Sequence, residues 1–271
     1  MGIDLAGNIF FANDFNPSGE AASPTVVTRG LVLWLDGGNN ASYINSSNYY
    51  DCGYGCQYYS SDPGCTNCNT QWKDMSGNGA DGTLVNGAAI NYTNGGGAMI
   101  FDGTNDYVNI PTFLNQPTSQ ITCDAWINPT EPVSTGTVRG GVISATNTMY
   151  LGIFNSADGG STHSLHWANT TNSSRPYSAD GSIPNNTWTH IAGTWDGSTS
   201  RAYINGVQVW SSGQSGTIAS ATYVVGTYGG ALTDGVHNFQ GQIAIARVYN
   251  RGLSVTEIIQ NYNNGRARFG V

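Results

Sequence analysis

The chain has three glutamates, Glu20, Glu131 and Glu257, and four histidines, His163, His166, His190 and His237, with which to do acid–base chemistry. Acid/base sugar cleavage needs two carboxylates about 5–10 Å apart. Here the glutamates are scattered, and the aspartates fall almost entirely in turn sequences, where side-chain capping of nearby amides explains them. His163 and His166 are three apart in a strand-like run, so they face opposite sides and do not ligate one ion together. His190 sits in a regular strand pattern and reads as a satisfied structural histidine. No Gly-x-Ser-x-Gly elbow and no phosphate-binding glycine loop is present, and the residues point away from an enzyme.

Cysteine is the other reactive type. Cys52, Cys56, Cys65 and Cys68 cluster at x3 and x2 spacings among Tyr54, Tyr58 and Tyr59 in a stretch, about 44–70, that has no apolar core of its own. A segment of this kind needs staples to hold one shape. Two disulfides are the first reading; a four-cysteine zinc knuckle, which requires that the disulfides be absent, and free thiols are the alternatives. Cys123, in Ile121-Thr122-Cys123-Asp124-Ala125-Trp126, reads as a small buried core residue.

The elements that must position these residues are strands. Charged residues make up only 10% of the chain, which breaks into short apolar runs at regular turn signals, as an all-β sandwich does. From Trp188 to Trp195 the side chains alternate between two faces, Asp196-Gly197-Ser198 interrupts, and Asn205-Gly206 supplies the two positive-φ residues of a tight hairpin, so Val207 to Trp210 should pair back on Ala202 to Ile204. Leu31, Leu33, Phe101, Trp126, Ile191, Ile204 and Ile243 are expected in or beside the core. One helix is expected, over Ser254 to Tyr262, with Ser254 and Glu257 forming a capping box.

Several blocks resemble the laminin-G-like, concanavalin-A-like jelly-roll family: Gly30 to Asp36, Trp72-Lys73-Asp74-Met75-Ser76-Gly77-Asn78-Gly79, Met99 to Val108, the Trp188 to Val207 stretch, and Gly241 to Ser254. They run in the family's order over nearly the whole chain. The resemblance implies a sandwich of two antiparallel sheets with one short C-terminal helix, occupying residues 29–271 and interrupted by the Cys/Tyr-rich insertion at about 44–70. It also implies a calcium ion at one rim, for which Asp102, Asn105 and Asp106 offer oxygen ligands. In the closing strand, however, Ala244 and Ile245 stand where the family usually carries an acidic pair, and an Asx turn explains the same three residues. Jelly-roll glycosidases use an array of carboxylates on one strand, and no Glu-x-Asp-x-Glu exists here.

Residues 1–28 read as an arm, with Ile9, Phe10, Phe11 and Phe15 as an apolar grip and Pro17, Gly19 and Pro24 as a linker; the alternative is a frayed end packed on its own domain. No basic residue precedes the apolar run, so a signal peptide is not expected. The ending Leu253 to Val271 and the opening Gly30 to Tyr43 are similar to laminin-G-like proteins of tailed bacteriophages. That resemblance implies a virion structural protein, a capsid decoration or fibre component presenting a lectin-like surface. Its partners would be other virion proteins or further copies, gripped by the arm, and cell-surface glycan.

A free-standing, extracellular carbohydrate-binding module is the second hypothesis, with Tyr54, Tyr58, Tyr59 and Trp210 as stacking faces. A jelly-roll glycosidase is the third. A net charge of −8 with Lys73 the single lysine excludes a nucleic-acid or anionic-membrane partner. Arg266 and Arg268 form the only basic cluster and are expected to anchor the tail to an acidic patch or to helix carbonyls.

Overall fold

The fold is described from a computed structural model, which defines residues 2–3, 9–10, 25–39, 41–42, 70–91, 96–130, 139–145, 148–155, 162–169, 182–229 and 237–271. The expectations for Phe11, Phe15, Tyr54, Tyr58, Tyr59, Cys52, Cys56, Cys65 and Cys68 lie outside these residues. In chain order the strands are β1 (Gly2–Ile3), β2 (Ile9–Phe10), β3 (Leu31–Asp36), β4 (Gln71–Trp72), β5 (Gly82–Val85), β6 (Ala89–Asn91), β7 (Ala98–Asp102), β8 (Tyr107–Ile110) and β9 (Ile121–Pro129). They continue as β10 (Arg139–Ala145), β11 (Met149–Asn155), β12 (Thr162–Asn169), β13 (Ile183–Pro184), β14 (Thr189–Trp195), β15 (Thr199–Ile204), β16 (Val207–Gly213), β17 (Tyr223–Val225) and β18 (Gln240–Tyr249). One helix, α1 (Val255–Phe269), follows.

Two antiparallel sheets face each other. The first runs β13-β12-β11-β10-β17-β8-β5-β4, and the second runs β16-β15-β14-β9-β18-β7-β6 with β3 also on β18. Among the described residues, β1 and β2 pair only with each other.

The pleat sorts each sheet into an inner and an outer row. Across the first sheet, Leu84, Val108, Val225, Ile143, Leu151 and Trp167 are successive cross-strand partners and all face the core. One residue earlier or later, Thr83, Asn109, Val224, Ser144, Tyr150 and Ala168 form the outer row. Across the second sheet the inner row is Leu33, Val248, Cys123, Gly193, Ala202 and Trp210. A Cβ at Gly193 would overlap the indole of Trp167, so the small residues Cys123 and Gly193 make the notch that the opposite sheet's tryptophan fills. Trp167 Nε1 then donates to Ser200 Oγ at 2.8 Å, which satisfies its buried N–H across the interface.

Cys123 is a free, buried thiol whose pKa burial raises well above its ordinary value. Leu33, Phe101, Ile191, Ile204 and Ile243 lie in this core, whereas Leu31 is partly buried against a second cluster formed by Val27, Ala192, Tyr203, Tyr249, Leu253 and Ile258. Trp126 is buried on the other side of the second sheet, under the helix.

Turn chemistry closes the hairpins where the sequence placed it. Asn205 and Gly206 have φ of 49° and 78°, and Ile204 pairs with Val207. The capping box at Ser254 and Glu257 is formed. The helix is longer than its apolar stripe predicts and continues seven residues past Tyr262 to Phe269, where Gly270 in the left-handed region (φ 72°) ends it. Tertiary contacts override the weak helical propensity of Asn263-Asn264-Gly265. Phe269 stacks on Trp126 at 4.5 Å and meets Trp188 at a tilt at 4.6 Å, and Arg268 donates to Asp36 Oδ1 at 2.6 Å and to the Gly97 carbonyl at 2.7 Å. Arg268 is thus the acidic-patch anchor expected of the basic pair.

Candidate functional site

Each sheet has an outer face, and the helix decides which one is available. Across the second sheet the outer row is Trp34, Arg247, Asp124, Ala192, Tyr203 and Gln208. Helix α1 covers this row through a buried polar centre. Arg247 Nε donates to Asp124 Oδ1 at 2.6 Å, Asn261 Nδ2 donates to Asp124 Oδ2 at 2.6 Å and to Tyr249 Oη at 2.9 Å, and the Val27 amide donates to Asn261 Oδ1 at 2.9 Å. His190 Nε2 stands 3.9 Å from Asp124 Oδ1, with Trp126 and Tyr262 rings at 5.4 and 6.0 Å.

Burial lowers the His190 pKa from 6.5 to about 4, and Arg247 works in the same direction against Asp124. The imidazole is therefore neutral at ordinary pH. His190 and Asp124 are both fully buried beneath the helix, and the bond from Asn261 to Asp124 ties the helix to the sheet.

Among the described residues no helix covers the first sheet. On its outer face the register places Gly152 beside His166 and Phe154 beside Ser164, so Tyr150, Phe154 and His166 converge. His166 lies 4.8 Å from the Tyr150 ring and 4.6 Å from Phe154. Tyr228 meets Tyr150 edge-on at 5.5 Å, and His237 lies 5.6 Å from Tyr228. The backbone is shaped for this group, since a Cβ at Gly152 would overlap the Tyr150 hydroxyl. Ser144 Oγ accepts from the Gly229 amide at 2.8 Å and donates to the Thr227 carbonyl at 3.0 Å, fixing the segment that carries Tyr228.

Tyr150, Phe154 and His166 are buried, while Tyr228 and His237 are half-buried. The outer row then becomes polar toward β5, through Val224 to the partly exposed Asn109 and the exposed Thr83. The result is an aromatic foundation with an accessible tyrosine–histidine edge and a polar flank.

His163 faces the other way, as its odd spacing from His166 predicts. Its Nε2 lies 2.7 Å from Asn185 Oδ1, and burial lowers its pKa. The sequence patterns did not single out Tyr150, Phe154, Tyr228 or His237. The alternation Tyr150-Gly152-Phe154 carries a signal, but the pairing with β12 that completes it is a matter of register.

Of the other candidates, Trp210 is half-buried on β16 and packs against the core. Ile9 and Phe10 form β2, whose backbone pairs with β1. In the Asp102 loop, Asp102 Oδ1 accepts from the Thr104 and Asn105 amides at 2.7 and 3.4 Å, and Asp106 Oδ2 accepts from the Asp102 amide at 3.1 Å. Burial and the Asp102 charge raise the Asp106 pKa. Calcium takes about six to eight oxygens. Part of this donor set is engaged by main-chain amides of the loop, and among the described residues no group of three or more His, Cys, Asp or Glu is placed to hold a metal. No helix of the described residues is long and apolar enough to cross a membrane.

A family model described as the concanavalin A-like lectin/glucanases superfamily matches residues 102–259. Among solved structures, domain 4 of AbnA, a GH43 extracellular arabinanase from Geobacillus stearothermophilus solved with arabinotriose, aligns at a TM-score of 0.54 and 19% identity, covering 86% of this chain and 98% of that one. The binding domain of Paraclostridial Mosquitocidal Protein 1 aligns at 0.59 and 14%, covering 86% and 52%. The ligand binding domain of botulinum neurotoxin serotype D, solved with N-acetylneuraminic acid, aligns at 0.57 and 15%, covering 87% and 51%. At these identities the likeness is one of fold, and the chain spans about half the length of the two toxin domains. No curated protein matches the chain in sequence.

Proposed function

The chain belongs to the concanavalin A-like lectin/glucanase superfamily, and from that premise we propose that it is a non-catalytic, lectin-like module that binds glycan on the outer face of its first sheet. The observation that carries this reading is the Tyr228–His237 edge resting on Tyr150, Phe154 and His166. Sugar rings present C–H faces that stack on aromatic rings, and their hydroxyls need polar neighbours of the kind Asn109 and Thr83 supply. A buried aromatic layer behind an accessible one keeps the contact ring in place at little cost in conformational entropy. The arabinotriose and N-acetylneuraminic acid in two structures of the same fold support a sugar as the ligand class.

The leading segment extends the reading. Ile9, Phe10, Phe11 and Phe15 attach the module to a virion or to a neighbouring copy, and many copies supply the avidity that a single weak site lacks. The support for attachment at that end is the tie between Val27, Thr25 and the helix, because the Gln260 side chain donates to the Thr25 carbonyl at 2.9 Å.

Glycan-array binding of the whole chain, with Tyr228→Ala and His237→Ala beside it, tests the site. Wild type should bind a discrete set of glycans without releasing reducing sugar, and Tyr228→Ala should weaken binding about tenfold, the equivalent of 1.4 kcal/mol. Glycan retention unchanged in both variants would place the site elsewhere, and hydrolysis of a bound glycan would end the non-catalytic reading. For attachment, serine in place of Ile9 and Phe10 should abolish association with particles and leave glycan binding intact.

A further inference from the structure

Helix α1 and the second sheet enclose a polar layer whose hydrogen bonds do not close among the side chains that form it. Asp124, on β9 between β14 and β18, is its hub. Oδ1 accepts from Arg247 Nε and Oδ2 accepts from Asn261 Nδ2, both at 2.6 Å. The His190 ring comes from the other side and stops with Nε2 3.9 Å from Oδ1, beyond the reach of a hydrogen bond.

Several atoms of the layer are sealed from solvent and have no hydrogen-bond partner among the described residues: Arg247 Nη1 and Nη2, both ring nitrogens of His190, and the indole nitrogens of Trp34 and Trp126. The register sets them side by side. Trp34 and Asp124 flank Arg247 on the adjacent strands, and Trp126 pairs with His190 in the next row. Trp126 Nε1 lies against Gly265 of the helix, but the Arg247 and His190 nitrogens gather around one oxygen, Asp124 Oδ1. Idle donors on a buried charge are costly, and one bond to Asp124 leaves the four N–H groups of the two Nη atoms without an acceptor.

We propose that ordered water is bound in this layer, sealed between α1 and the second sheet, where it accepts from the Arg247 Nη groups and bridges the His190 ring to Asp124. The inventory of idle groups selects the ligand. His190 is neutral at ordinary pH, so one of its ring nitrogens donates and the other accepts. The idle set therefore holds an acceptor as well as donors. Water serves both kinds and needs roughly three partners, which Arg247, His190 and Asp124 supply. A halide serves only the donors and leaves the imidazole acceptor idle. Charge also counts against an anion. The carboxylates that act on Arg247 are Asp124 and Asp36, and Arg268 is bonded to Asp36, so the two cations and two carboxylates already balance. A further negative ion would be buried without compensation. A polar pair held just past bonding distance is the place for a bridging water. Because α1 closes the layer, the water leaves only when the helix lifts, and its residence time reports how often that happens.

A crystal structure of the whole chain, at a resolution that orders internal water, tests the site directly. Density for water should lie within hydrogen-bond distance of Arg247 Nη1 or Nη2 and of a His190 ring nitrogen, and crystals soaked in bromide should give no anomalous peak there. In solution, the carbon-bound ring protons of His190 should show cross-peaks to water, with the opposite signs in the laboratory and rotating frames that mark a long-residing molecule. A bromide peak at Arg247 overturns the proposal in favour of an anion. Guanidinium nitrogens bonded directly to protein carbonyls with no water between, or His190 protons silent to water, overturn it as well.

Discussion

The carboxylate of Asp74 accepts the main-chain amide of Trp34 at 2.9 Å across 40 residues of sequence. The same side chain accepts from the Ser76 amide at 2.9 Å, the Ala80 amide at 3.1 Å and the Ser76 hydroxyl at 2.8 Å. One short side chain thus builds a turn and binds it to a strand of the second sheet. The left-handed backbone at Gly77 and Gly79, with φ of 83° and 72°, lets the turn curl tightly enough to do both.

Asp74→Ala should cost about 3 kcal/mol of stability, since hydrogen bonds to a charged acceptor are each worth roughly 1.5–3 kcal/mol and the freed amides regain only part of that from water. Chemical denaturation measures the loss. Aggregation of the folded variant should also rise, because the β3 edge is uncovered. A loss below about 0.5 kcal/mol, the range of ordinary surface substitutions, would mean that the turn holds itself without the carboxylate.

Stability should fall with acid through His190. Its pKa in the fold, about 4, lies below the ordinary 6.5, so between those values the unfolded chain takes up a proton that the folded chain refuses. This stabilisation is complete above pH 6.5, declines as pH drops toward 4 and then levels off, about 3 kcal/mol in all. His163, also lowered by burial, acts in the same sense as the pH falls below 6.5. Glu257, held at about 2 by its pair with Arg251, acts lower, between 4.5 and 2. Urea midpoints measured at half-unit pH steps should show the upper decline in wild type. In His190→Gln only the His163 part should remain, and an unchanged slope there would acquit His190.

Gly265→Ala sets two effects of opposite sign against each other. Alanine in a helix interior is favoured over glycine by about 1 kcal/mol. Here, however, the added Cβ would overlap Trp126 Nε1, and overpacking a filled site costs about 1–3 kcal/mol. The net change should be destabilising, with the loss seen in near-ultraviolet circular dichroism of Trp126 before the sheets melt. A stabilised variant would show that the helix can lift without harm.

For the insertion, Cys52, Cys56, Cys65 and Cys68 are proposed to form two disulfides, and reduction should then raise the intact mass by about 4 Da. An unchanged mass with one bound zinc per chain would replace the disulfides by a metal knuckle. Cys123, free and buried, should resist alkylation until the protein is unfolded.

Where the determining chemistry is local, the sequence was readable. Asn205-Gly206 needs nothing beyond two positive-φ residues, and Ser254 with Glu257 closes its own capping box. The family blocks were readable for the same reason, and the matched family model and the two-sheet architecture agree with them. What escaped depends on distant partners. The aromatic group on the first sheet needs β11 and β12 in one particular register and Tyr228 brought in from a later loop. Gly265 looks like a helix breaker until Trp126 is known to lie against it. Trp72-Lys73-Asp74 could be recognised as a turn, but that it closes a sheet edge depends on Trp34, far upstream.

The Val27 amide and the Thr25 carbonyl are both bonded to side chains of helix α1. The segment beginning at Thr25 is held at the helix, and Val271 follows at the helix's end, its amide bonded to the Arg266 carbonyl at 3.1 Å. Both ends of the described sandwich therefore leave from one side, which gives the module a back and a front. Whatever is joined before Thr25 or after Val271 tethers it from the back, and the tyrosine–histidine edge is turned outward from any such support. Coupled to a sensor surface through either end, the protein should present that face to solution in every copy, whereas a tether placed on the β10–β12 side would hide it.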